Sequence, residues 1–222
     1  MAEATPTGRY HHGNLRAALV EAGYHLAVDQ GPDAVTLRAV TRRAGVSPAA
    51  AYRHFAGLEE LRVAIGLWSI RGLARAIEEH QARVEIADPV GRARAMLEAV
   101  GDGYLAFALD QPRVFRIGLY GLLGMEHAEL ADGAGDSGRT PFQLLTDALV
   151  GLAAVGALPA EGVEPAAIQC WSSVHGFASL ATQGPLRGAP REARDAMARR
   201  LVRDVVDGVL AVGSRQGGAE IS

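Results

Sequence analysis

The sequence predicts an all-α protein of about nine helices, for three reasons. Apolar residues recur at intervals of three and four along most of the 222-residue chain. Residues that start or stop helices stand at the ends of these periodic segments. Alternating apolar and polar runs, which half-buried strands require, are scarce. We therefore expect helices and no β-sheet.

Four helices are predicted in the N-terminal third of the chain. The first runs from about residue 14 to residue 28 and stops at a glycine–proline pair. Thr36 caps a short second helix, which Gly45 ends. Ser47 caps a short third helix with Pro48 at its first position, where a missing N–H costs nothing. The fourth runs from about Leu58 into the low eighties.

Five more helices are predicted in the rest of the chain. The fifth starts at Asp88 and Pro89 and ends near residue 110, and a short sixth runs from Arg113 to about Leu123. The last three are expected at about residues 141–157, 165–183 and 190–212.

Composition and charge exclude several classes of protein. The formal net charge is −3, so any surface that faces nucleic acid must be local. The single cysteine, Cys170, cannot form an internal disulfide, which favours a reducing cytoplasm. No apolar run reaches the roughly 18 residues of a membrane span, and the N-terminus has no signal-peptide pattern. We predict no cofactor and no metal site.

The second and third helices, joined by a tight glycine turn, fit the helix–turn–helix unit. Between Val35 and Leu58 there is no aspartate or glutamate. The basic residues of this stretch are Arg38, Arg42, Arg43, Arg53 and His54. A surface that faces phosphates requires such a gap, because a carboxylate would repel the DNA backbone. The alternative is a solvated arginine face on an ordinary helical hairpin.

The third helix is predicted to have two distinct sides. Val46, Ala51 and Phe55 form its core side. Its outer side carries Ser47, Ala49, Ala50, Tyr52 and Arg53. Small side chains let a helix lie deep in a major groove, where alanine methyls can meet thymine methyls. The pattern predicts a surface that reads double-stranded DNA.

Three stretches resemble one known family. "TLRAVTRRAGVSPAAAYRHFAGLEEL" resembles the DNA-binding region of the TetR family of bacterial repressors, and "YHHGNLRAAL" is similar to the start of one branch. "CWSSVHGFASL" resembles the WHG-type C-terminal domain of that branch, with Trp171, His175 and Gly176 as the name-giving residues. The resemblance implies a homodimer whose first three helices bind DNA. It also implies that the fourth helix links to a ligand-binding body and that the last two form a four-helix dimer interface.

The same resemblance implies roles for individual residues. Thr36 and Tyr52 would contact phosphates, with His54 near the backbone and Arg53 able to reach either phosphates or bases. The residues expected near base edges are Ser47, Pro48, Ala49 and Ala50. Tyr10 and His11 belong to an N-terminal arm that can reach the backbone or the minor groove. Leu58 stands where this family commonly has a lysine, so one phosphate contact is expected to be missing.

The body is expected to hold a cavity for a small ligand, because large apolar groups with a few polar tips lie among small residues. The residues predicted to line it are Met96, Tyr104, Phe107, Phe115, Tyr120, Phe142, Trp171 and His175. The alternative is that these aromatic residues are packed core. For Trp171 and His175, ligand contact and a purely structural role both stay open.

Apolar stripes on the last two helices are predicted to form a dimer interface. They consist of Ile168, Val174, Phe177 and Leu180, then Met197, Leu201 and Val205. Such a stripe can also simply cover the core of one protomer. A dimer is favoured because helix–turn–helix repressors gain affinity by binding two half-sites at once.

The sequence thus predicts an N-terminal arm (residues 1–13), a helix–turn–helix DNA-binding domain (14–56), a ligand-binding and dimerisation body (57–213) and a C-terminal tail (214–222). We expect a cytoplasmic, non-enzymatic repressor released from a pseudo-palindromic operator by a small apolar or amphipathic ligand. One alternative is a regulator without a small ligand. Another is a small helical enzyme that uses Cys170 and His175.

Overall fold

The computed structural model describes residues 15–121 and 131–217, and in them it contains nine α-helices and no β-strand. The predicted all-α fold is confirmed. The helices are α1 (Leu15–Gln30), α2 (Leu37–Arg43), α3 (Pro48–Ala51), α4 (Leu58–Gln81), α5 (Pro89–Asp110), α6 (Pro112–Arg116), α7 (Pro141–Ala154), α8 (Val163–Thr182) and α9 (Arg191–Gly217). No helix in the described ranges is both long and apolar enough to cross a membrane.

Some helix ends differ from those predicted. The prediction extended α7 to residue 157, but α7 ends at Ala154 because Gly156 adopts a φ of 73°. In that conformation the Ala157 N–H donates to the Leu152 carbonyl at 3.0 Å, which closes the helix end. After Arg116 the α-helical pattern of α6 gives way to a wider π-helical turn over Ile117–Gly121.

The chain forms two compact units, and the boundary between them falls after Ile65, within α4. In the first unit α2 and α3 each pack against α1. Its core includes Leu19, Val40, Phe55 and Leu61, each at most 1% exposed. Helices as short as α2 and α3 are not stable by helix propensity alone. They are therefore stabilised mainly by the packing of their buried faces against this core.

In the second unit α5 is the central helix and packs against α7, α8 and α9. The two largest fully buried side chains of this unit are Tyr104 on α5 and Phe115 on α6, each 1% exposed. Because α5 is covered on several sides, eleven of its 22 residues are buried.

The backbones of α4 and α5 approach closely at Gly103. A Cβ atom at this position would lie 2.7 Å from the Ile77 Cα and 2.8 Å from the Ala76 carbonyl oxygen. Backbone atoms cannot move aside as a flexible side chain can. The contact therefore requires glycine at position 103.

We expect Gly103→Ala to lower the free energy of unfolding by about 1–3 kcal/mol, because the added methyl forces α4 and α5 apart. Urea denaturation followed by circular dichroism measures the effect. Gly151→Ala is the matched control. A Cβ at position 151 of α7 meets no atom within 4 Å. That change should raise the free energy of unfolding by about 0.5–1 kcal/mol. Equal stability of Gly103→Ala and the wild type would contradict the close packing.

Candidate DNA-binding surface and effector cavity

The geometry of α2 and α3 is set by capping residues. The Thr36 hydroxyl oxygen accepts a hydrogen bond from the Ala39 N–H at 3.2 Å, and the Ser47 hydroxyl oxygen accepts one from the Ala50 N–H at 3.3 Å. Between the two helices, Gly45 has a φ of 68°, which most other residues adopt only with strain. The predicted caps and glycine turn are confirmed as local structure.

Each of the two helices has one buried and one exposed side. Val40 and Ala44 of the α2 segment, and Ala51 of α3, are at most 2% exposed. On the opposite side of α3, Tyr52 is 61% exposed. An aromatic ring left this open on a small domain is available to a partner.

The predicted DNA-contacting residues in the described part of the chain lie at the surface. Those that are exposed are Thr36, Arg38, Arg42, Ser47, Pro48, Ala49, Tyr52, Arg53 and His54, and Ala50 is half-buried. A hydroxyl that accepts a hydrogen bond can still donate its own proton, so both capping residues can also contact a phosphate. Tyr10 and His11 lie outside the described residues.

The arginines of this surface differ in their pairing. Arg43 forms an ion pair with Asp29 at 2.9 Å. In the part of the chain that the structure describes, Arg38, Arg42 and Arg53 are exposed and make no ion pair. Unpaired guanidinium groups beside an acid-free helix are suited to phosphate oxygens, because no carboxylate has to be displaced first. Leu58, the first residue of α4, is half-buried.

Aromatic residues form a cluster inside the second unit. The Tyr104 ring meets the rings of Phe115 and Trp171 edge to face, with centroids 5.6 and 5.5 Å apart. Trp171 stacks on His175 with an angle of 11° between the ring planes, and Phe142 meets Trp171 edge to face at 5.6 Å. These contacts place the two WHG residues Trp171 and His175 in one packed group.

A hydrogen bond of 2.8 Å joins the Tyr104 hydroxyl and Nδ1 of His175. Burial lowers the pKa of His175 from its ordinary value of 6.5. The imidazole is therefore held neutral, as one donor and one acceptor. The bond gives each of these two polar groups a hydrogen-bond partner inside the second unit.

We expect the contribution of His175 to the free energy of unfolding to fall as the pH drops below about 6.5. Below that pH the unfolded chain protonates His175, while the folded chain, with its lowered pKa, does not. The unfolded state then binds more protons, which favours unfolding. Denaturation of the wild type and His175→Gln between pH 7 and pH 5 checks this. The difference between their stabilities should shrink towards acid pH, and a constant difference would contradict it.

A small cavity lies between α5, α7, α8 and α9. Its volume is about 30 Å³. This is room for two or three water molecules at about 10–15 Å³ each. Sites for drug-sized ligands start at about 300 Å³. Its lining consists mainly of apolar side chains and includes Tyr104, Cys170, Trp171, Val174, Val202 and Val205.

The structure separates the residues that were predicted to line one pocket. Tyr104 and Trp171 line the small cavity. Met96 lines a different and larger cleft. Phe107 packs against Gly72 of α4, where a Cβ would lie 3.1 Å from its ring. The side chain of Tyr120 lies outside the described residues. The aliphatic lining residues Val202 and Leu97 carried no sequence signal, because every helix here has such residues on its buried face.

The residues predicted for the dimer interface differ in exposure. Ile168 is 58% exposed, Leu180 is 47% exposed and Met197 is 45% exposed. Phe177, Leu201 and Val205 are half-buried, and Val174 is buried. Val174 and Val205 also line the small cavity, so they serve the interior of one protomer.

Two family models match the chain. Residues 19–65 match the model described as bacterial regulatory proteins, tetR family. Residues 97–205 match the model described as tetracyclin repressor-like, C-terminal domain, which includes Trp171 and His175. One curated relative, the HTH-type transcriptional regulator BetI of Rhizobium meliloti (strain 1021), is 47% identical over 49 residues. That match covers 22% of this chain and 24% of the relative.

Solved structures share the fold over most of the chain. A protein of unknown function from Rhodococcus sp. RHA1 has a TM-score of 0.66 and 26% identity, over 91% of this chain and 98% of that one. The TetR family transcriptional regulator PfmR from Thermus thermophilus has a TM-score of 0.52 and 21% identity, over 85% and 97%. A TetR variant from Acinetobacter baumannii AYE in complex with minocycline has a TM-score of 0.59 and 14% identity, over 89% and 97%. With both family models matched within the two units, the chain belongs to the TetR family of bacterial transcriptional regulators.

Proposed function

We propose that this regulator is a homodimeric repressor that binds a pseudo-palindromic operator in the cytoplasm and leaves it when a small apolar or amphipathic ligand binds its body. The observation that carries the proposal is the surface of α2 and α3. It is free of acidic residues, it exposes Tyr52, and it presents Arg38, Arg42 and Arg53 without ion pairs in the described structure. This surface combines positive charge with small side chains that permit close approach to bases.

In this proposal α3 enters the major groove. Ala49 and Ala50 lie on its outward side and allow the backbone of the helix to approach the base edges. Tyr52 and Arg53 follow directly, where the end of the helix meets the phosphates. Arg38 and Arg42, four residues apart on α2, add contacts to the backbone that do not depend on sequence.

The dimer is proposed to form through α8 and α9. Ile168, Leu180 and Met197 are large apolar side chains that are about half exposed in one protomer. A second copy of the chain would bury them, and the resulting pair of helix–turn–helix units would bind two half-sites about one helical turn apart.

Release from DNA is proposed to be a population shift. The ligand would bind more tightly to a conformation of the body in which the two helix–turn–helix units are misplaced for the operator, and so would release the dimer from DNA. The ligand can shift this equilibrium by no more than the difference between its affinities for the two conformations. The variant from Acinetobacter baumannii, which has a similar fold, forms a complex with minocycline, and this supports a small-molecule effector for this chain.

A second candidate function is a regulator whose body serves only dimerisation. The packing around Tyr104 and Phe115 favours it, because both are 1% exposed and the adjacent cavity is only about 30 Å³. In that case operator binding would not respond to any small ligand.

The burial of Cys170 and His175 argues against the enzyme that the sequence left open. Burial raises the pKa of Cys170 to about 11 and lowers that of His175. Both shifts oppose the thiolate and imidazolium that a nucleophilic pair requires. The family of this chain consists of DNA-binding regulators, and the chain is not an enzyme.

Selection of binding sites from a pool of random duplexes tests the proposal. We expect the purified protein to enrich a sequence with two inverted half-sites, and a reporter placed behind that sequence to be repressed when the protein is present. Failure to enrich any sequence, or enrichment of a single unrepeated site, would count against a dimeric operator-binding repressor.

A further inference from the structure

A cleft of about 610 Å³ opens in the second unit between the end of α4, the start of α5, one side of α7 and the segment at residues 137–139. Its size lies within the range of about 300–1,000 Å³ that is typical of small-molecule sites. It is a different space from the small cavity beside Trp171, since the two share no lining residue.

The cleft has an apolar floor and a polar rim. Ala93 of α5 and Leu144 and Ala148 of α7 form a buried part of the floor, and Met96 is half-buried beside them. The polar groups of the lining are Gln81, Arg92, Ser137, Arg139 and Asp147. An apolar floor with a few polar groups at one edge fits a ligand that is itself apolar at one end and polar at the other.

The charges of the lining favour an anion. Arg139 and Asp147 pair with each other at 2.9 Å, so their charges largely cancel. Arg92 is exposed and forms no ion pair with any residue in the described ranges. One uncompensated guanidinium therefore remains beside the apolar floor, and guanidinium binds carboxylate with two parallel hydrogen bonds.

We propose that this cleft binds an amphipathic carboxylate, with the apolar tail on Met96, Leu144 and Ala148 and the carboxylate on Arg92. Substitution of Gly151 by a larger residue tests whether the ligand lies in this cleft. Gly151 lines the cleft, and a Cβ there meets no atom within 4 Å. A large side chain at this position would extend into the space of the ligand without a clash at its Cβ.

The rim of the cleft is also bonded to α4. The Glu78 carboxylate accepts hydrogen bonds from the Asp136 and Ser137 N–H groups, each at 2.9 Å, and from the Ser137 hydroxyl at 2.5 Å. Arg75 pairs with Asp136 at 2.8 Å. A ligand that displaces Ser137 therefore acts on a residue that Glu78 of α4 holds directly. An effect on DNA by this route rests on the function proposed above, whereas ligand binding itself does not.

Calorimetric titration with decanoate tests the site, with decanol and decyltrimethylammonium as the neutral and cationic counterparts. We expect decanoate to bind best and Arg92→Gln to weaken it about tenfold while decanol affinity stays within about twofold. Gly151→Leu should abolish binding of both. Arg83→Gln removes another exposed arginine that does not line the cleft, and it should leave decanoate affinity unchanged.

The proposal is overturned if decanoate does not bind, if Arg92→Gln binds it as well as the wild type, if Gly151→Leu still binds it, or if the cationic counterpart binds equally well. Should Gly151→Leu fail to fold, the exposed Arg92 position still decides the question. Addition of decanoate to the protein–duplex complex separates the two proposals. If decanoate binds at Arg92 but does not release the duplex, the site stands and an effector role for it fails.

Discussion

Tyr52→Ala combined with Arg53→Ala is expected to weaken specific binding to the selected duplex severely. Both side chains are exposed at the end of α3, and neither supports the core of the unit. Each contact to DNA is worth about 1–3 kcal/mol, so the double variant should bind at least about thirtyfold more weakly. Titration of a labelled duplex at fixed salt measures the loss. The free energy of unfolding should stay within about 0.5 kcal/mol of the wild type.

Arg83→Ala is the control for charge. It removes one exposed arginine from the turn after α4, outside the helix–turn–helix unit, and should leave duplex affinity unchanged. The salt dependence adds a second readout, because loss of one phosphate contact at Arg53 lowers the slope of log affinity against log salt by about one. Specific binding by the double variant within about threefold of the wild type would refute the proposed surface.

The parts of this surface that could be predicted are those that depend on neighbours in sequence. Thr36 and Ser47 cap helices through N–H groups three residues away, and Gly45 adopts the left-handed conformation that its position requires. The absence of acids between residues 35 and 58 is likewise a property of one continuous stretch. Local bonds and local composition are visible in a sequence because no fold has to be assumed.

The ion pairs of the same surface could not be predicted. Arg42 was predicted to face DNA and Arg43 was only counted among the basic residues of this stretch, and nothing in the sequence indicated that Arg43 pairs with Asp29 of α1. The pairing depends on how α1 and α2 cross, which neither helix encodes alone. The structure thus distinguishes an arginine that is already neutralised from those that are free for phosphate.

Contacts in the second unit were even harder to predict from the sequence, because they join residues far apart in the chain. Tyr104 and His175 form their hydrogen bond across 71 residues of sequence. The aromatic spacing predicted large rings on the same faces, but a packed cluster and a ligand pocket give the same spacing. Arg92 carried no functional signal in the sequence, and it gains a specific position only because α5 and α7 form a cleft beside it.

Ile168→Glu combined with Leu180→Glu is expected to convert the dimer to a monomer. Along α8, a row of exposed residues at every fourth position, Ile168, Ser172, Gly176 and Leu180, forms a ridge. A Cβ at Gly176 meets no atom within 4 Å of the same protomer, so this glycine leaves room for a helix from outside. Two carboxylates on this ridge would have to be buried against apolar side chains, which is strongly unfavourable. Sedimentation velocity measures the change in mass.

Val150→Glu is the control that separates disruption of the interface from the general effect of adding a carboxylate at an exposed apolar position. Val150 is also apolar and is 51% exposed, but it lies on α7 and outside the ridge, so the variant should remain a dimer. The monomeric double variant should still fold, because both substituted side chains already face outward. The monomeric variant should bind the selected duplex about 10²- to 10⁴-fold more weakly, since each helix–turn–helix unit then binds without the other. A double variant that stays dimeric would place the interface elsewhere. A monomer that kept full affinity would mean that one helix–turn–helix unit suffices for binding the duplex.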